Sequence, residues 1–376
     1  MAKIRELEIL KELVKFDTNS VDQKNYNEIA SFIKQVIEQN GGKVEIYSSK
    51  GKQKPNIIAN FDLGKDETIG LNAHYDTVSV NKQEWKTDPF KLTVIGNKAF
   101  GRGASDDKSG IAIALSLIEN IKSNVNLQLI ITCDEEIGSD DGLKWLVQNK
   151  RDKIKSNAVI VLDVGNKIII GASGVASGKI IVKGKEVHAG FPYLGKNAIS
   201  ISLPFLEALN KFQDKIRSKK SKYYGGKKRK VYNRFNITML NSGIKENIIP
   251  GLLEARFDLR SIPEMNLDIL KKEFKAYFDS EVKKEAINAK LDFTGFHNGY
   301  VGNINSKIVN KFIEVTKQKK LYASFGGLDA NLFERIGIAT VSYGAENDSI
   351  HKSNEYIDIN KLHEIKTQIA KILEVY

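Results

Sequence analysis

Apolar positions recur at helical spacing near the start of the chain. Ile4, Leu7, Leu10, Leu13 and Val14 mark one helix face, and Ile29, Phe32, Ile33, Val36 and Ile37 mark a second. Gly41-Gly42 stops the second helix. Short strand-like runs follow at 44–47, 56–59 and 68–71. The Ala- and Ile-rich stretch 109–121 predicts an apolar helix. Residues 127–132 form a continuous apolar run, the pattern of a strand buried on both faces. A helix is expected over 142–149 and another buried strand over 158–162. Strands alternating with helices predict an α/β layer with a mixed, largely parallel sheet.

The pattern changes near Gly171-Ala-Ser-Gly174, where small residues suggest a hinge. Beyond it the chain predicts a strand at 179–183, a helix at 197–217, strands at 234–239 and 252–259, and a helix at 267–278. Two helices among a few strands make a compact α+β unit of ordinary domain size. After Phe296 the text returns to helix (304–317), strand (339–343) and a final helix (360–373). The domains are therefore expected at 1–173 (catalytic domain, first part), 174–296 (an inserted lid) and 297–376 (catalytic domain, second part).

Composition changes this picture little. At 376 residues, two domains are the default expectation, and 41% hydrophobic with 28% charged residues describes an ordinary soluble protein. No run approaches the ~20 apolar residues that span a bilayer, and the mixed charges of Met1-Ala-Lys-Ile-Arg-Glu lack a secretory apolar core. No membrane partner is expected. The single cysteine, Cys133, cannot form an intrachain disulfide, so a reducing cytoplasm is the simplest home. It ends an apolar run, which predicts a buried, inert thiol.

The net charge of +12 raises the question of an anionic partner. Its densest source is Lys227-Lys-Arg-Lys230, after Lys219, Lys220 and Lys222, among Gly and Tyr residues. This reads as a solvated loop, with a field that gathers carboxylate-bearing substrates as the second choice. No nucleic-acid module accompanies it, and a nucleic-acid partner is not expected.

The chemistry lies in imidazoles and carboxylates placed at the ends of apolar runs. They are His74 and Asp76 in Leu71-Asn-Ala-His-Tyr-Asp76, Asp106 in Gly101-Arg-Gly-Ala-Ser-Asp106, and Glu135 and Glu136 in Thr132-Cys-Asp-Glu-Glu-Ile-Gly138. Asp163 in Val161-Leu-Asp163 and His351 complete the set. Ligands gather at the carboxyl ends of strands in open α/β sheets, and such donors suit zinc and its neighbours. Two ions need a shared carboxylate. Asp106, between a glycine-rich turn and a helix start, can bridge; His74 and His351 can each hold one ion; Glu136 and Asp163 can complete one site each. Asp76 can hold the second nitrogen of His74. A water between the ions would be acidified to a pKa of about 7 in favourable cases. Glu135, the acid left over, can move its proton. The ligands fall on both sides of the insert, which supplies none.

These segments resemble the co-catalytic zinc metallopeptidase and amidohydrolase family of succinyl-diaminopimelate desuccinylase, acetylornithine deacetylase, aminoacylase and carboxypeptidase G. The resemblance spans essentially the whole chain. It is carried by His74-Tyr-Asp76, Trp85-Lys-Thr-Asp-Pro-Phe90, Gly101-Arg-Gly-Ala-Ser-Asp106-Asp-Lys108, Asp134-Glu-Glu136, Gly184-Lys-Glu-Val-His188, Asn247-Ile-Ile-Pro250, Gly326-Gly-Leu-Asp329 and His351. It implies a zinc-aminopeptidase-like catalytic domain with an inserted α+β lid and dimerisation domain. It implies two zinc ions per subunit, with cobalt or manganese as substitutes, held by His74, Asp106, Glu136, Asp163 and His351. It gives Asp76 the orienting role and Glu135 the general acid/base role. It further implies that His188 polarises the scissile carbonyl, in several relatives from the partner subunit of a homodimer, and that Asn247, Arg260, Gly326 and Gly327 contact substrate. The expected substrates are N-acyl amino acids or short peptides with a free carboxylate. Asp163 is followed by Val-Gly where desuccinylase-like members usually carry Glu with Pro, and Gly-Gly-Leu-Asp-Ala-Asn331 looks closer to peptidase-like branches. The competing class is a basic nucleic-acid or anion-binding protein without catalysis, against which the complete ligand set argues.

Overall fold

The computed structural model describes residues 4–51, 53–81, 84–226 and 228–376. Met1–Lys3 and Lys227, which entered the sequence reading, lie outside these. The chain forms two compact units, Met1–Ile170 with Gly302–Leu321 and Leu328–Tyr376, and Gly171–Val301 with Tyr322–Gly327.

The first unit is built on a sheet whose strands run in the order Lys43–Tyr47, Asn56–Phe61, Asn126–Thr132, Thr68–His74, Ala158–Val161, Ala339–Ser342. The first two pairings are antiparallel and the remaining three parallel, so the sheet is mixed and largely parallel, as the α/β pattern predicts. The central strands are buried on both faces; every residue of Thr68–His74 after Thr68 is buried. Among them the polar Asn72 is satisfied by donating to the Ile130 carbonyl at 2.9 Å.

The Lys108–Ile118 helix explains its own apolar sequence: all its residues are buried. It packs on the Thr68–His74 strand and between the Arg5–Val14 and Ile359–Val375 helices. Ile111, Ile113 and Leu115 are fully buried there, each stabilising the unit by roughly 1.5–3 kcal/mol. That packing fixes the start of the helix, and with it the loop just before. Among the described residues no helix is long and apolar enough to cross a membrane.

The second unit is α+β. Four antiparallel strands, in the order Arg234–Ser242, Leu252–Ser261, Gly174–Lys183, Asn288–His297, pack on the Ala198–Ile216 and Leu267–Lys284 helices. Asn197 and Asn266 cap these helices by accepting from backbone N–H groups of the first turn. Phe205, Phe212, Phe235, Phe257, Phe274 and Phe278 form the core between sheet and helices. An inserted α+β unit is thus present, and its local structure departs from the sequence reading at the lysine-rich segment and at 288–297. The small residues at 171–174 join two strands, Ile169–Ala172 and Gly174–Lys183, and the division between the two units falls at Gly171. Gly171 is small because a Cβ there would meet the Tyr300 carbonyl at 2.7 Å. The lysine-rich loop is a hairpin, Lys220–Gly226 with Arg229–Tyr232, turned by Lys228 at φ 70°. The Asn288–His297 strand was not predicted.

Candidate metal centre and active site

The four parallel strands of the first unit end on one side, at Thr132, His74, Val161 and Ser342. His74, Glu136, Asp163 and His351 come at or after those ends, and Asp106 lies in the loop before the Lys108–Ile118 helix. His74 is the last residue of its strand; its Nε2 lies 3.1 Å from Asp106 Oδ1 and 3.5 Å from Asp163 Oδ1. His351 Nε2 lies 2.9 Å from Asp106 Oδ2 and 3.0 Å from Glu136 Oε2. Two groups result, His74–Asp106–Asp163 and Asp106–Glu136–His351, each with its ligand atoms within 4.8 Å of one another. Asp106 belongs to both, offering one oxygen to each side. Two nitrogen-and-oxygen triads joined by a carboxylate fit a pair of ions of the zinc type.

Asp76 is fully buried. Its carboxylate stands 3.4 Å from His74 Nδ1, but the closer contact to that nitrogen is the Asp76 backbone carbonyl at 3.0 Å. The two carboxylate oxygens accept from the N–H groups of Glu135 and Glu136, at 3.2 and 3.1 Å. One side chain therefore holds the turn that presents both glutamates. The base of that turn is fixed by Asp134, which takes the buried Lys54 ammonium at 2.7 Å. The loops carrying Asp163 and His351 meet at Gly344, where a Cβ would lie 1.8 Å from the Leu162 carbonyl; only glycine allows that approach.

The electrostatics follow from crowding charges in a buried space. Burial opposes a charged His74, yet Asp163, Asp106 and Asp76 outweigh it and hold the imidazole well above the ordinary histidine value. Hydrogen bonds to the Asp106 and Glu136 carboxylates lift His351 to about 10. Burial also opposes a charged Asp106, but His351 and His74 pull its carboxyl below the usual range. Burial, then Asp163, pushes Glu135 well above it. So dense a set of acids around two imidazoles favours cations in the pocket.

Sequence reasoning missed the residue that holds Asp106 in place. Glu355, 1% exposed, accepts from Arg102 Nη1 at 2.6 Å and from the N–H groups of Gly103, Ser105 and Asp106 at 3.1, 2.8 and 3.1 Å. The whole glycine-rich loop is gathered on one carboxylate. Asp107 was also passed over. It is fully buried, accepts from the His74 N–H at 3.2 Å, and leaves Oδ1 without a partner. Burial pushes its carboxyl well up. Asp329, in a quoted motif but given no role, accepts from Ser139 Oγ at 2.6 Å and is pushed up to about 6 by burial.

The remaining candidates belong to the second unit. His188 and Asn247 are neighbours there, on the paired Val187–His188 and Ile248–Ile249 strands and the residue before the latter. His188 is exposed, and its Nδ1 accepts from the Gly190 N–H at 3.0 Å. A neutral ring so bonded carries its proton on Nε2. Arg260 is held by Asp258, Nε to both oxygens at 2.9 and 3.1 Å, and its Nη1 donates to the Phe325 carbonyl beside Gly326. Gly327 lies against the ring of His297; a Cβ there would be 2.5 Å from Nε2. His363, outside the candidate set, bonds Glu6 at 2.6 Å in the first unit.

Comparison with known proteins identifies the family of the chain. The family model described as Peptidase family M20/M25/M40 matches residues 70–374. An uncharacterized metallohydrolase of Methanococcus maripaludis is 30% identical over 363 residues, covering 87% of this chain and 84% of that one. The succinyl-diaminopimelate desuccinylase of Pelagibacter ubique is 27% identical over 397 residues, covering 100% of both. The fold matches that of an M20 family metallo-carboxypeptidase from Sulfolobus solfataricus with a TM-score of 0.83 and 22% identity, over 100% of this chain and 99% of the other. The chain belongs to peptidase family M20/M25/M40, and is a metal-dependent hydrolase of amide or peptide bonds.

Proposed function

We propose that the protein hydrolyses the amide bond of N-acyl amino acids or short peptides with a free carboxylate, using two zinc ions held by His74, Asp106, Glu136, Asp163 and His351. Cobalt or manganese would serve as substitutes. The observation that carries this reading is the sharing of Asp106 between two ligand triads. When bound, such ions polarise a carbonyl and acidify water. Glu135 takes the proton of the attacking water as oxygen adds to the carbonyl carbon, then delivers it to the nitrogen as the C–N bond breaks. Asp76 supports this by anchoring the Glu135 and Glu136 amides. His188 acts as a donor to the developing oxyanion, a contact worth a few kcal/mol; its Nδ1 acceptor bond leaves Nε2 as the donor. Asn247, Arg260 and the Gly326-Gly327 backbone bind substrate, with Arg260 on the carboxylate.

The protein acts as a cytoplasmic homodimer joined through the second unit. In support, the outer end of the Arg234–Ser242 edge strand exposes Met239 and Leu240, and the Ala198–Ile216 helix exposes Ile199 and Leu203. The deciding experiment loads purified protein with zinc or cobalt and screens N-acetyl and N-succinyl amino acids beside dipeptides. Hydrolysis is expected in one of these classes, and Glu135→Gln is expected to keep both ions while losing at least about 100-fold in turnover. No hydrolysis across the panel, or a metal-replete Glu135→Gln variant with near-normal turnover, overturns the reading.

A further inference from the structure

The lysine-rich hairpin, the start of the Arg234–Ser242 strand and the C-terminal end of the Ala198–Ile216 helix wall a cavity of about 900 Å3, carried wholly by the second unit. Six cations among the described residues line it: Arg217, Lys220, Lys228, Arg229, Lys230 and Arg234. Among the described residues the rest of the wall is two tyrosines and two side-chain amides, with no carboxylate. Among the described residues only Arg217 of the six has an acid partner, Asp214 at 3.1 Å. Two of the others rest on aromatic faces instead. Lys230 Nζ stands 5.9 Å from the Tyr224 ring centre, and the Arg234 guanidinium 5.7 Å from that of Tyr232.

Arg234 is the most telling member. It is half-buried, and its donors go to neutral oxygens: the Tyr232 carbonyl at 3.0 Å, Ser173 Oγ at 3.1 Å and the Phe325 carbonyl at 2.5 Å. Its strand partner is another cation, Arg260, which holds Asp258 for itself. Burial and Arg260 together lower the Arg234 guanidinium to about 10. A concavity of one sign focuses its field and repels itself until a counter-charge enters. Guanidinium forks and ammonium groups match phosphoryl oxygens. The volume lies near the top of the ~300–1,000 Å3 range of small-molecule sites, too large for one phosphate. Each terminal phosphoryl group carries about −1.5 to −2 charges, so a short phosphate chain can meet five unpaired cations within one cavity.

We propose that this cavity binds an oligophosphate, either free or as the phosphate tail of a nucleotide. The site is independent of the amide chemistry proposed above. The test is isothermal titration of the full-length, metal-loaded protein at about 0.15 M salt with tripolyphosphate, ATP, inorganic phosphate and citrate. The comparison is with Lys228→Ala/Arg229→Ala/Lys230→Ala, a change confined to the exposed hairpin tip, and with Arg234→Met. Metal chelation is common to all these proteins and cancels between them. The expected result is saturable one-to-one binding of tripolyphosphate, with phosphate and citrate weaker and the hairpin variant weaker by about tenfold or more. ATP binding as tightly as tripolyphosphate marks the phosphate tail as the recognised part; ATP binding much more tightly marks a nucleotide. If Arg234→Met fails to fold, the hairpin variant decides alone. Absence of saturable tripolyphosphate binding, equal binding of citrate, or unchanged binding by the hairpin variant overturns the proposal.

Discussion

Glu355→Gln tests whether the loop carrying Asp106 is held by one carboxylate. The native side chain accepts four hydrogen bonds, and neither it nor Arg102 is more than 3% exposed. A glutamine keeps one oxygen. If its nitrogen replaces Oε1, it faces the N–H groups of Ser105 and Asp106; if it replaces Oε2, it faces Arg102 and Gly103. Two acceptor contacts are lost either way, and Arg102 loses its counter-charge. An unsatisfied buried donor costs about 1–3 kcal/mol, and removing one partner of a buried ion pair about 3–5 kcal/mol. Part is recovered, because burial already pushes the Glu355 carboxyl upward and the neutral amide avoids that penalty. A net loss of about 3–4 kcal/mol is expected, a large share of a typical 5–15 kcal/mol stability. Both tryptophans, Trp85 and Trp145, lie in the first unit, so their fluorescence in urea reports on that unit. Zinc affinity should fall about 10- to 100-fold as the loop loosens. A variant within 1 kcal/mol of the native protein and with unchanged zinc affinity refutes the reasoning. Pairing the change with Arg102→Met should restore part of the stability, since both charges then go.

Three further outcomes are expected. Asp163→Asn should lose one ion and keep the other, whereas Asp106→Asn should weaken both; elemental analysis after metal reloading distinguishes them, and equal losses contradict the shared-ligand geometry. Burial lowers Lys108 to about 7, against the opposing pull of Glu355 and Asp17. The folded protein then binds fewer protons than the unfolded chain between about pH 7 and the ordinary lysine value, so this group makes stability rise with pH across that window. Urea midpoints at about pH 7.5 and 9.5 should show a smaller rise in Lys108→Met, and an unchanged slope contradicts the assignment. Cys133 is fully buried and burial pushes its thiol upward, so thiol reagents should label it only after unfolding; fast labelling of the native protein contradicts this.

The sheet and the convergence of the candidate ligands were legible because both rest on local signals. A short apolar run names a strand, and the acid or imidazole after it names a strand end; His74, Glu136 and Asp163 all follow that rule. Glu355 carried no such signal. It acts on residues some 250 positions away, and its role appears only when the Tyr356–Asp358 strand pairs with Lys98–Phe100. Asp107 and Lys108 drew no expectation of burial, because charged residues ordinarily mark a surface, whereas both are fully buried. The hairpin was taken for a loop because its alternation, Lys220, Lys222 and Tyr224 against Ser221 and Tyr223, has few apolar residues. Yet Ser221 and Tyr223 are buried while Lys220 and Lys222 are exposed, the period-two pattern of a strand. Asn288–His297 hid for the same reason, with Leu291 and Phe293 set among polar residues.

The central claim is a pair of ions sharing Asp106, and anomalous diffraction from crystals of the zinc-loaded protein tests it most directly. Two peaks are expected beside that carboxylate, one also touching His74 and Asp163, the other Glu136 and His351. A single peak, or peaks that leave Asp106 untouched, would contradict the account.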